Sequence, residues 1–319
     1  FMKYMEKEIQ NLMENSLVYN KGESIILIHD HRYQLIADLI VKYCKEKDIP
    51  ISCLFTNYQP HDILPSKVKS VFLGEKPEII ILWLSHNIWH TPERKIAKYQ
   101  KKKRLVNLLH PNDPCPYYLA DIQKMNKIGK QLSEILKESS KVHIFSNNGT
   151  EIEAQMAIRF CETGDYREPS SGGDFPAGEV GFGPVEGTVK GRIVYDLKVQ
   201  HVSFVKNSPH IIEVKNDEIT IIRASEKFRQ LINQDSILKY LSEISIGINP
   251  IWVEVNDIDS IVEEKNLGTV HFGQGSNLSY GHREGAHFDS VIQKPTIYLD
   301  NCLIMKDGRF NERYINLKI

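Results

Sequence analysis

The 319-residue sequence has almost no net charge, since 40 Lys and Arg residues balance 41 Asp and Glu residues to give −1. A balanced chain of this kind has no global field that would attract nucleic acid or an anionic membrane surface. No apolar run approaches the about 18 residues of a membrane-spanning helix, and the charged N-terminus does not resemble a signal peptide. These absences predict a globular protein with no nucleic-acid partner and no membrane partner.

Cysteine is also scarce, because the five cysteines are far apart in the sequence and form no Cys-x-x-Cys motif. An odd number of scattered cysteines is typical of free thiols in a reducing compartment. There is no internal repeat and no low-complexity tract. The sequence therefore predicts a cytoplasmic protein of ordinary globular composition.

The first part of the chain alternates strand-like and helix-like segments. Four segments are strand-like, and the apolar run at 77–85 is a candidate for a buried strand; the other three are residues 23–30, 51–55 and 141–146. Segments with helical spacing lie between them, including a charged segment at 92–104 that ends in a basic run and that we expect to be a surface helix. This alternation predicts an N-terminal parallel-sheet α/β domain, which we place at residues 1–145.

The composition changes in the second half of the chain. Residues 169–191 contain three prolines and seven glycines, which is typical of tight turns between β segments. Hairpins are predicted at 211–224, turning at 216–217, and at 296–310, with a helix at about 225–241 between them. We therefore interpret residues 146–319 as a C-terminal α+β domain that binds metal, for the reasons that follow.

Potential metal ligands are concentrated in the last quarter of the sequence. His287 and Asp289 are two residues apart in a strand-like segment, so their side chains leave the same face and could hold one ion. His271 follows another short apolar strand, and nearby glycines would let the backbone approach a site closely. Two imidazoles and a carboxylate are sufficient for a metal site, although ordinary structural roles for these residues are an open alternative.

Two glutamates and two pairs of basic residues are further candidates. Glu179 is predicted at a turn or the start of a strand, and Glu243 at the end of a helix, where a nearby cation would offset its conflict with the helix dipole. Four residues are candidates for substrate binding, with ordinary loop roles as the alternative: His86 and His90, which follow the apolar strand at 77–85, and His282 and Arg283, which precede His287.

Five segments, in this order, resemble the motif series of the aminopeptidase T family of metallo-aminopeptidases, which includes AmpS and PepS. They are GTEIE (149–153), DFPAGEV (174–180), EISIGINP (243–250), GTVHFGQGS (268–276) and HFDSV (287–291). The resemblance implies two divalent ions, zinc or cobalt, on five ligands: Glu179, Glu243, His271, His287 and Asp289. One ion would polarise a peptide carbonyl while a metal-bound water attacks it. The resemblance also implies a homodimer.

The sequence departs from this family at one position of importance. Leu278 stands where the family has its catalytic tyrosine, and Tyr280 is the nearby phenol. Under this resemblance, Glu243 and Tyr280 are the candidate catalytic residues. The loop between His271 and His287 also looks shorter than in the peptidases.

The same scaffold is similar to that of a divergent relative, 2,5-dihydroxypyridine 5,6-dioxygenase, which cleaves an aromatic ring with one Fe(II) held by two histidines and an aspartate. This second resemblance implies that His271, His287 and Asp289 form the iron site. The predicted function is a metal-dependent, leucyl aminopeptidase-like hydrolase of a short peptide or related amide. The alternatives are a mononuclear iron dioxygenase acting on a small hydroxylated aromatic molecule, and a metal-binding homologue without turnover.

Overall fold

A computed structural model describes residues 2–58, 64–85, 88–89, 91–109, 119–278 and 281–317. Residue contacts divide the chain into two compact units, the first containing Phe1–Ile122 and Gly164–Ala177 and the second containing Gln123–Thr163 and Gly178–Ile319. The domain boundary predicted after residue 145 stays a prediction. By contacts, residues 123–145 group with the second unit, and residues 164–177 return to the first.

The described residues form six α-helices and nineteen strands, numbered in chain order. The helices are α1 (Met2–Gln10), α2 (Gln34–Glu46), α3 (Ser66–Leu73), α4 (Pro92–Lys95), α5 (Ile122–Glu138) and α6 (Glu226–Gln234). The strands are β1 (Ile25–His29), β2 (Ile51–Phe55), β3 (Ile79–Trp83), β4 (Arg104–Leu108), β5 (Lys141–Phe145), β6 (Glu151–Glu162), β7 (Gly172–Phe175), β8 (Glu179–Pro184), β9 (Lys190–Tyr195), β10 (Lys198–Val199), β11 (Ser203–Phe204), β12 (His210–Lys215), β13 (Glu218–Arg223), β14 (Leu241–Gly247), β15 (Thr269–Gly275), β16 (His287–Gln293), β17 (Thr296–Leu299), β18 (Cys302–Lys306) and β19 (Arg309–Phe310). None of the described helices is long and apolar enough to cross a membrane.

The first unit contains a five-stranded parallel sheet with the strand order β2-β1-β3-β4-β7. Every residue of β1, β3 and β4 is buried, as expected for parallel strands that are covered on both faces. Helix α2 presents Ile36, Leu39 and Ile40 as buried residues and contacts β1 and β2. The predicted α/β class of this part of the chain is confirmed.

The basic run at residues 101–104 was expected on a surface helix, and this expectation is wrong. The helical segment ends at Gln100, and β4 begins at Arg104. Lys103 and Arg104 are buried, and each has a specific partner: the Lys103 Nζ donates to the Pro77 carbonyl oxygen at 2.6 Å, and Arg104 forms an ion pair with Glu23. Buried backbone and carboxylate acceptors make a strand position possible for these charges.

The second unit contains a fourteen-stranded sheet whose strand pairs are antiparallel. Its main path is β11-β10-β16-β15-β14-β8-β6-β5-β17-β18-β19, and β9, β12 and β13 branch from β6. Both predicted hairpins are present, as β12–β13 and as β17–β18–β19. This large antiparallel sheet with its helices confirms the predicted α+β class of the second half.

His210 is a buried histidine of this sheet, and it makes stability depend on pH. Its Nε2 accepts a hydrogen bond from the Ser225 backbone N–H at 3.3 Å, and its ring packs edge-on against Phe228. Burial, with a smaller contribution from Arg223, lowers the pKa of His210 to about 4 from the ordinary 6.5. Between pH 6.5 and pH 4, the unfolded chain therefore binds a proton at this histidine that the folded chain does not bind.

We expect the contribution of His210 to the free energy of unfolding to be complete above pH 6.5. This contribution should fall by up to about 3 kcal/mol as the pH approaches 4. Urea unfolding at pH 7 and pH 4.5 measures the difference. The variant His210→Gln keeps an acceptor for Ser225 but cannot titrate, so its unfolding free energy should change less over this interval. An equal pH dependence in both proteins would refute the assignment.

Candidate metal centre

Four neighbouring strands in the middle of the second unit's sheet carry the predicted metal ligands, in the order β16-β15-β14-β8. The strand register places Glu243 opposite Gly273, and Gly273 opposite Asp289. His271 is two residues from Gly273 along β15, so its side chain leaves the same face of the sheet. Segments that are far apart in the sequence therefore converge because three adjacent strands are aligned in this register.

The opposite face of the same strands belongs to the hydrophobic core. Phe272 and Phe288 alternate with the ligand residues, so they point away from them, and both are buried. Phe288 packs edge-on against Phe228 with ring centroids 6.2 Å apart, and Phe272 packs against Tyr195 at 6.3 Å. These aromatic contacts hold β15 and β16 in place, and the opposite face of both strands carries the predicted ligands.

Gly273 lies at the centre of the ligand set and leaves the space that it needs. A Cβ atom on this residue would lie 2.8 Å from the Cβ of Glu243, 2.8 Å from the Cε1 of His287 and 3.0 Å from the Oδ1 of Asp289. Contacts this short are not tolerated without movement of the ligand side chains. The glycine therefore allows three side chains from the two neighbouring strands, β14 and β16, to approach one another.

The distances show that the five predicted ligands are neighbours. The His271 Nε2 is 3.4 Å from the Glu243 Oε1, 3.4 Å from the Glu179 Oε2 and 4.0 Å from the Asp289 Oδ1. The His287 Nε2 is 3.3 Å from the Asp289 Oδ1 and 4.0 Å from the Glu243 Oε2. One donor atom from each of Glu179, Glu243 and His271 lies within 4.8 Å of the others, an arrangement that could hold a metal ion.

The two sides of this cluster differ in exposure. The side chains of His271 and Glu179 are 2% and 6% exposed, whereas those of His287 and Asp289 are 10% and 14% exposed. The pair on β16 is therefore the part of the cluster that solvent reaches.

The donor atoms fit a divalent cation. The Asp289 Oδ1 and the Glu179 Oε2 are buried and have no hydrogen-bond partner among the described residues. The Nδ1 of His287 is 2.8 Å from the Ser276 carbonyl oxygen, to which it can donate, and such a bond orients the Nε2 of a metal-binding histidine. Imidazole nitrogens and carboxylate oxygens together are ligands for zinc, iron and related ions.

The charges in the cluster also favour a cation. Burial lowers the pKa of both histidines, but neighbouring carboxylates outweigh it: Glu264 and Glu243 raise the pKa of His271 to about 10, and Asp289 raises that of His287 to about 9. Burial raises the pKa of Asp289, but the two histidines outweigh this and hold it well below its usual range. A metal ion needs the neutral imidazoles, so it would bind in exchange for these protons.

Lys265 and Glu264 adjoin the cluster, and sequence reasoning missed both. The Lys265 Nζ is 2.6 Å from the Glu179 Oε1 and 2.8 Å from the Glu264 Oε1, and the lysine side chain is 1% exposed. Burial raises the pKa of Glu179 to about 7 despite this ammonium. Both missed residues belong to a short 3₁₀ segment, Val262–Lys265, whose charged sequence is typical of a solvated surface.

Glu243 was expected at the end of a helix, and this expectation is wrong. Helix α6 ends at Gln234, and Glu243 lies within β14, in which all seven residues are buried. Glu243 and Ser245 alternate with Ile244 and Ile246, and this period of two is that of a strand with one apolar face. The carboxylate therefore faces the histidines and is not at a helix terminus.

Two of the other predicted residues, His282 and Arg283, lie among the described residues. The Arg283 Nη2 is 3.3 Å from the Asp217 Oδ2, and its Cζ is 4.7 Å from the centroid of the Tyr240 ring, so the guanidinium already has partners in the protein. His282 is exposed. Three further candidates lie outside the described residues: His86, His90 and Tyr280. The substrate-binding roles and the catalytic role of Tyr280 stay predictions.

The histidine–carboxylate site and its sheet can be compared with known proteins. The sequence model of the family NicX, 2,5-dihydroxypyridine 5,6-dioxygenase, matches residues 73–312, which is more than half of the chain. The chain therefore belongs to this family. The sequence motifs indicated the aminopeptidase T family, with the dioxygenase as a divergent relative, and the family match supports the dioxygenase part of that resemblance.

Two solved structures share the fold over nearly the whole chain. The 2,5-dihydroxypyridine dioxygenase from Pseudomonas putida KT2440 has a TM-score of 0.82 at 15% identity and covers 98% of each chain. AmpT from Thermus thermophilus has a TM-score of 0.66 at 13% identity, with 97% of this chain and 99% of that chain covered. At these identities the likeness shows the fold alone.

A third similar protein matches only part of this chain. The protein MGF 505-7R of African swine fever virus (strain Badajoz 1971 Vero-adapted) is 22% identical over 185 residues. The match covers 53% of this chain and 34% of that protein, so this chain corresponds to about a third of its length. The family comparison, in contrast, indicates an enzyme, and the sequence resemblance associates this family with a metal.

Proposed function

We propose that the protein is a mononuclear non-haem iron enzyme that cleaves the ring of a small hydroxylated aromatic molecule. The observation that carries this proposal is the convergence of His271, His287 and Asp289 on one face of β15 and β16. Two histidines and one carboxylate are the ligand set of many non-haem iron oxygenases. Membership of the NicX family adds the substrate class, since that family is described by a dioxygenase acting on a dihydroxypyridine.

An Fe(II) ion on these three side chains would supply open coordination positions for a substrate hydroxyl and for dioxygen. The protein's own residues would prepare that chemistry. The Ser276 carbonyl holds the His287 ring, and the Glu243 Oε1 lies 3.4 Å from the His271 Nε2. Glu243 is therefore the group that we propose to accept the proton of a ring hydroxyl as the substrate binds.

A two-metal aminopeptidase is the second candidate function, and one observation favours it. Glu179, Glu243 and His271 offer three donor atoms that lie within 4.8 Å of one another, and carboxylates can bridge two ions. The fold of AmpT is consistent with this alternative. A metal-binding homologue without turnover is the third, and it would use the same ligands for one ion.

Activity assays with defined metals separate these candidates. The protein is first loaded with Fe²⁺ under anaerobic conditions. In air, it should then consume dioxygen when 2,5-dihydroxypyridine or another dihydroxylated aromatic ring is added. The same protein with Zn²⁺, Co²⁺ or Mn²⁺ should leave leucyl-p-nitroanilide intact. The variant Asp289→Asn removes one ligand charge, and we expect its oxygen uptake to fall at least about 100-fold.

The remaining outcomes assign the other candidates. Release of p-nitroaniline with zinc or cobalt, without oxygen uptake with iron, would overturn the dioxygenase proposal in favour of the peptidase. Metal binding without turnover in both assays would leave the non-catalytic homologue. Oxygen uptake that is equal in the wild type and Asp289→Asn would show that the reaction does not use this cluster.

A further inference from the structure

A buried ammonium group lies at the edge of the metal centre. The Lys265 Nζ is held between the Glu179 Oε1 at 2.6 Å and the Glu264 Oε1 at 2.8 Å. The lysine residue is 1% exposed, and the two glutamates are 4% and 3% exposed. A lysine this deeply buried is stable only when carboxylates offset the loss of hydration.

Glu179 connects this ammonium with the predicted metal ligands. One of its oxygens contacts Lys265, and the other, Oε2, is 3.4 Å from the His271 Nε2 and has no hydrogen-bond partner among the described residues. In two-metal sites, a carboxylate of this kind bridges two cations that are a few ångströms apart. Here the cation on one side of the bridge is part of the polypeptide chain.

An ion in contact with the Lys265 side of Glu179 would be close to a fixed positive charge. Both the repulsion and the competition for the same carboxylate oxygens are strong in a buried site, because water does not screen them. On the other side of Glu179, the histidines and Asp289 remain available to one ion. The geometry therefore distinguishes two cation positions, one of which is filled by the lysine.

We propose that Lys265 takes the place of a second metal ion and restricts the centre to one ion per chain. This inference rests on the proposed metal site and adds to it the residue that sets the number of ions. Lys265 is then a specificity-determining residue, because a centre with one ion and open positions suits ring cleavage, whereas peptide hydrolysis in the alternative uses two. The charged residue Glu264 serves as the second counter-ion of the lysine.

The test counts ions in variants of this lysine with Mn²⁺ alone as the probe. Wild-type protein and Lys265→Met are equilibrated with excess Mn²⁺, and bound metal is measured by elemental analysis and by the electron paramagnetic resonance of isolated or coupled ions. We expect one ion in the wild type and two in Lys265→Met, with the coupled signal only in the variant. Lys265→Arg keeps the positive charge and should bind one ion.

Lys198 provides a matched control. It is also 1% exposed and pairs with a buried carboxylate, that of Glu263, with the Nζ 2.8 Å from Oε2, and neither residue is one of the predicted ligands. Lys198→Met should therefore remove a buried ammonium without adding an ion. A second ion in this variant would mean that loss of any buried lysine has this effect, and the inference would be wrong.

The wild-type count tests the inference even if Lys265→Met does not fold. Two ions in the wild type would overturn the role of Lys265 while leaving a metal centre in place, and no ion would overturn both that role and the proposed centre. One ion in folded Lys265→Met would also overturn the inference. One ion in the wild type and two in the variant would support it, whatever substrate the enzyme is later found to use.

Discussion

Replacing His287 by alanine should abolish metal retention and, with it, oxygen uptake. The His287 Nε2 is one of two imidazole nitrogens in the cluster, and its ring is positioned by the Ser276 carbonyl. Loss of even an outer partner of a metal ligand typically lowers affinity 10- to 100-fold, so loss of the ligand itself should lower it more than about 100-fold. Elemental analysis after gel filtration in metal-free buffer measures the retained ion.

His201→Ala is the matched control for this variant. His201 also pairs with an aspartate, since its Nδ1 is 3.0 Å from the Asp259 Oδ1, but the pair is exposed. We expect this variant to retain metal like the wild type. If His287→Ala also retains its full metal content, then His287 is not a ligand and the proposed two-histidine centre must be abandoned.

Replacing Gly273 by valine should remove metal binding by a different route, because it fills the space between the ligands. The added Cβ would lie 2.8 Å from the Cε1 of His287 and from the Cβ of Glu243, so both side chains must move. Overpacking of a dense interior typically costs about 1–3 kcal/mol. We therefore expect a lower free energy of unfolding in urea together with loss of the bound ion.

Gly187→Ala separates the loss of metal from a general loss of stability. Gly187 has a φ of +79°, so alanine is strained there, but no atom lies within 4 Å of the added Cβ. This variant should be less stable than the wild type and should still bind the ion. Normal metal content in folded Gly273→Val would show that the ligand side chains do not need the space above this residue.

Much of the sheet structure could be predicted because its signals are local. The apolar run at 51–55 coincides with β2, and the turns at 216–217 and 307–308 join the predicted hairpins. The His-x-Asp spacing of residues 287 and 289 needs only the period of a strand to place both side chains on one face. These inferences depend on neighbours in the sequence and not on the packing of distant segments.

Other features depend on tertiary structure and were missed or wrongly assigned. Glu243 follows a segment with helical spacing, and only its pairing with β15 shows that it lies in a strand. Lys103 and Lys265 occur in charged runs that usually face solvent, yet both are buried against carbonyl or carboxylate oxygens. A sequence does not show which charge in such a run will find a buried partner.

The strand register aligns Glu243, Gly273 and Asp289 across β14, β15 and β16, and this alignment determines how the proposed centre would acquire its ion. In small zinc-dependent modules, the ligands meet only when the ion arrives, and its affinity is used to fold the chain. Here the rungs of a large sheet hold the ligands in register through backbone hydrogen bonds and an aromatic core. For the proposed centre we therefore expect the folded protein to exchange one divalent ion for another, so that the supply of ions at the time of loading selects among them.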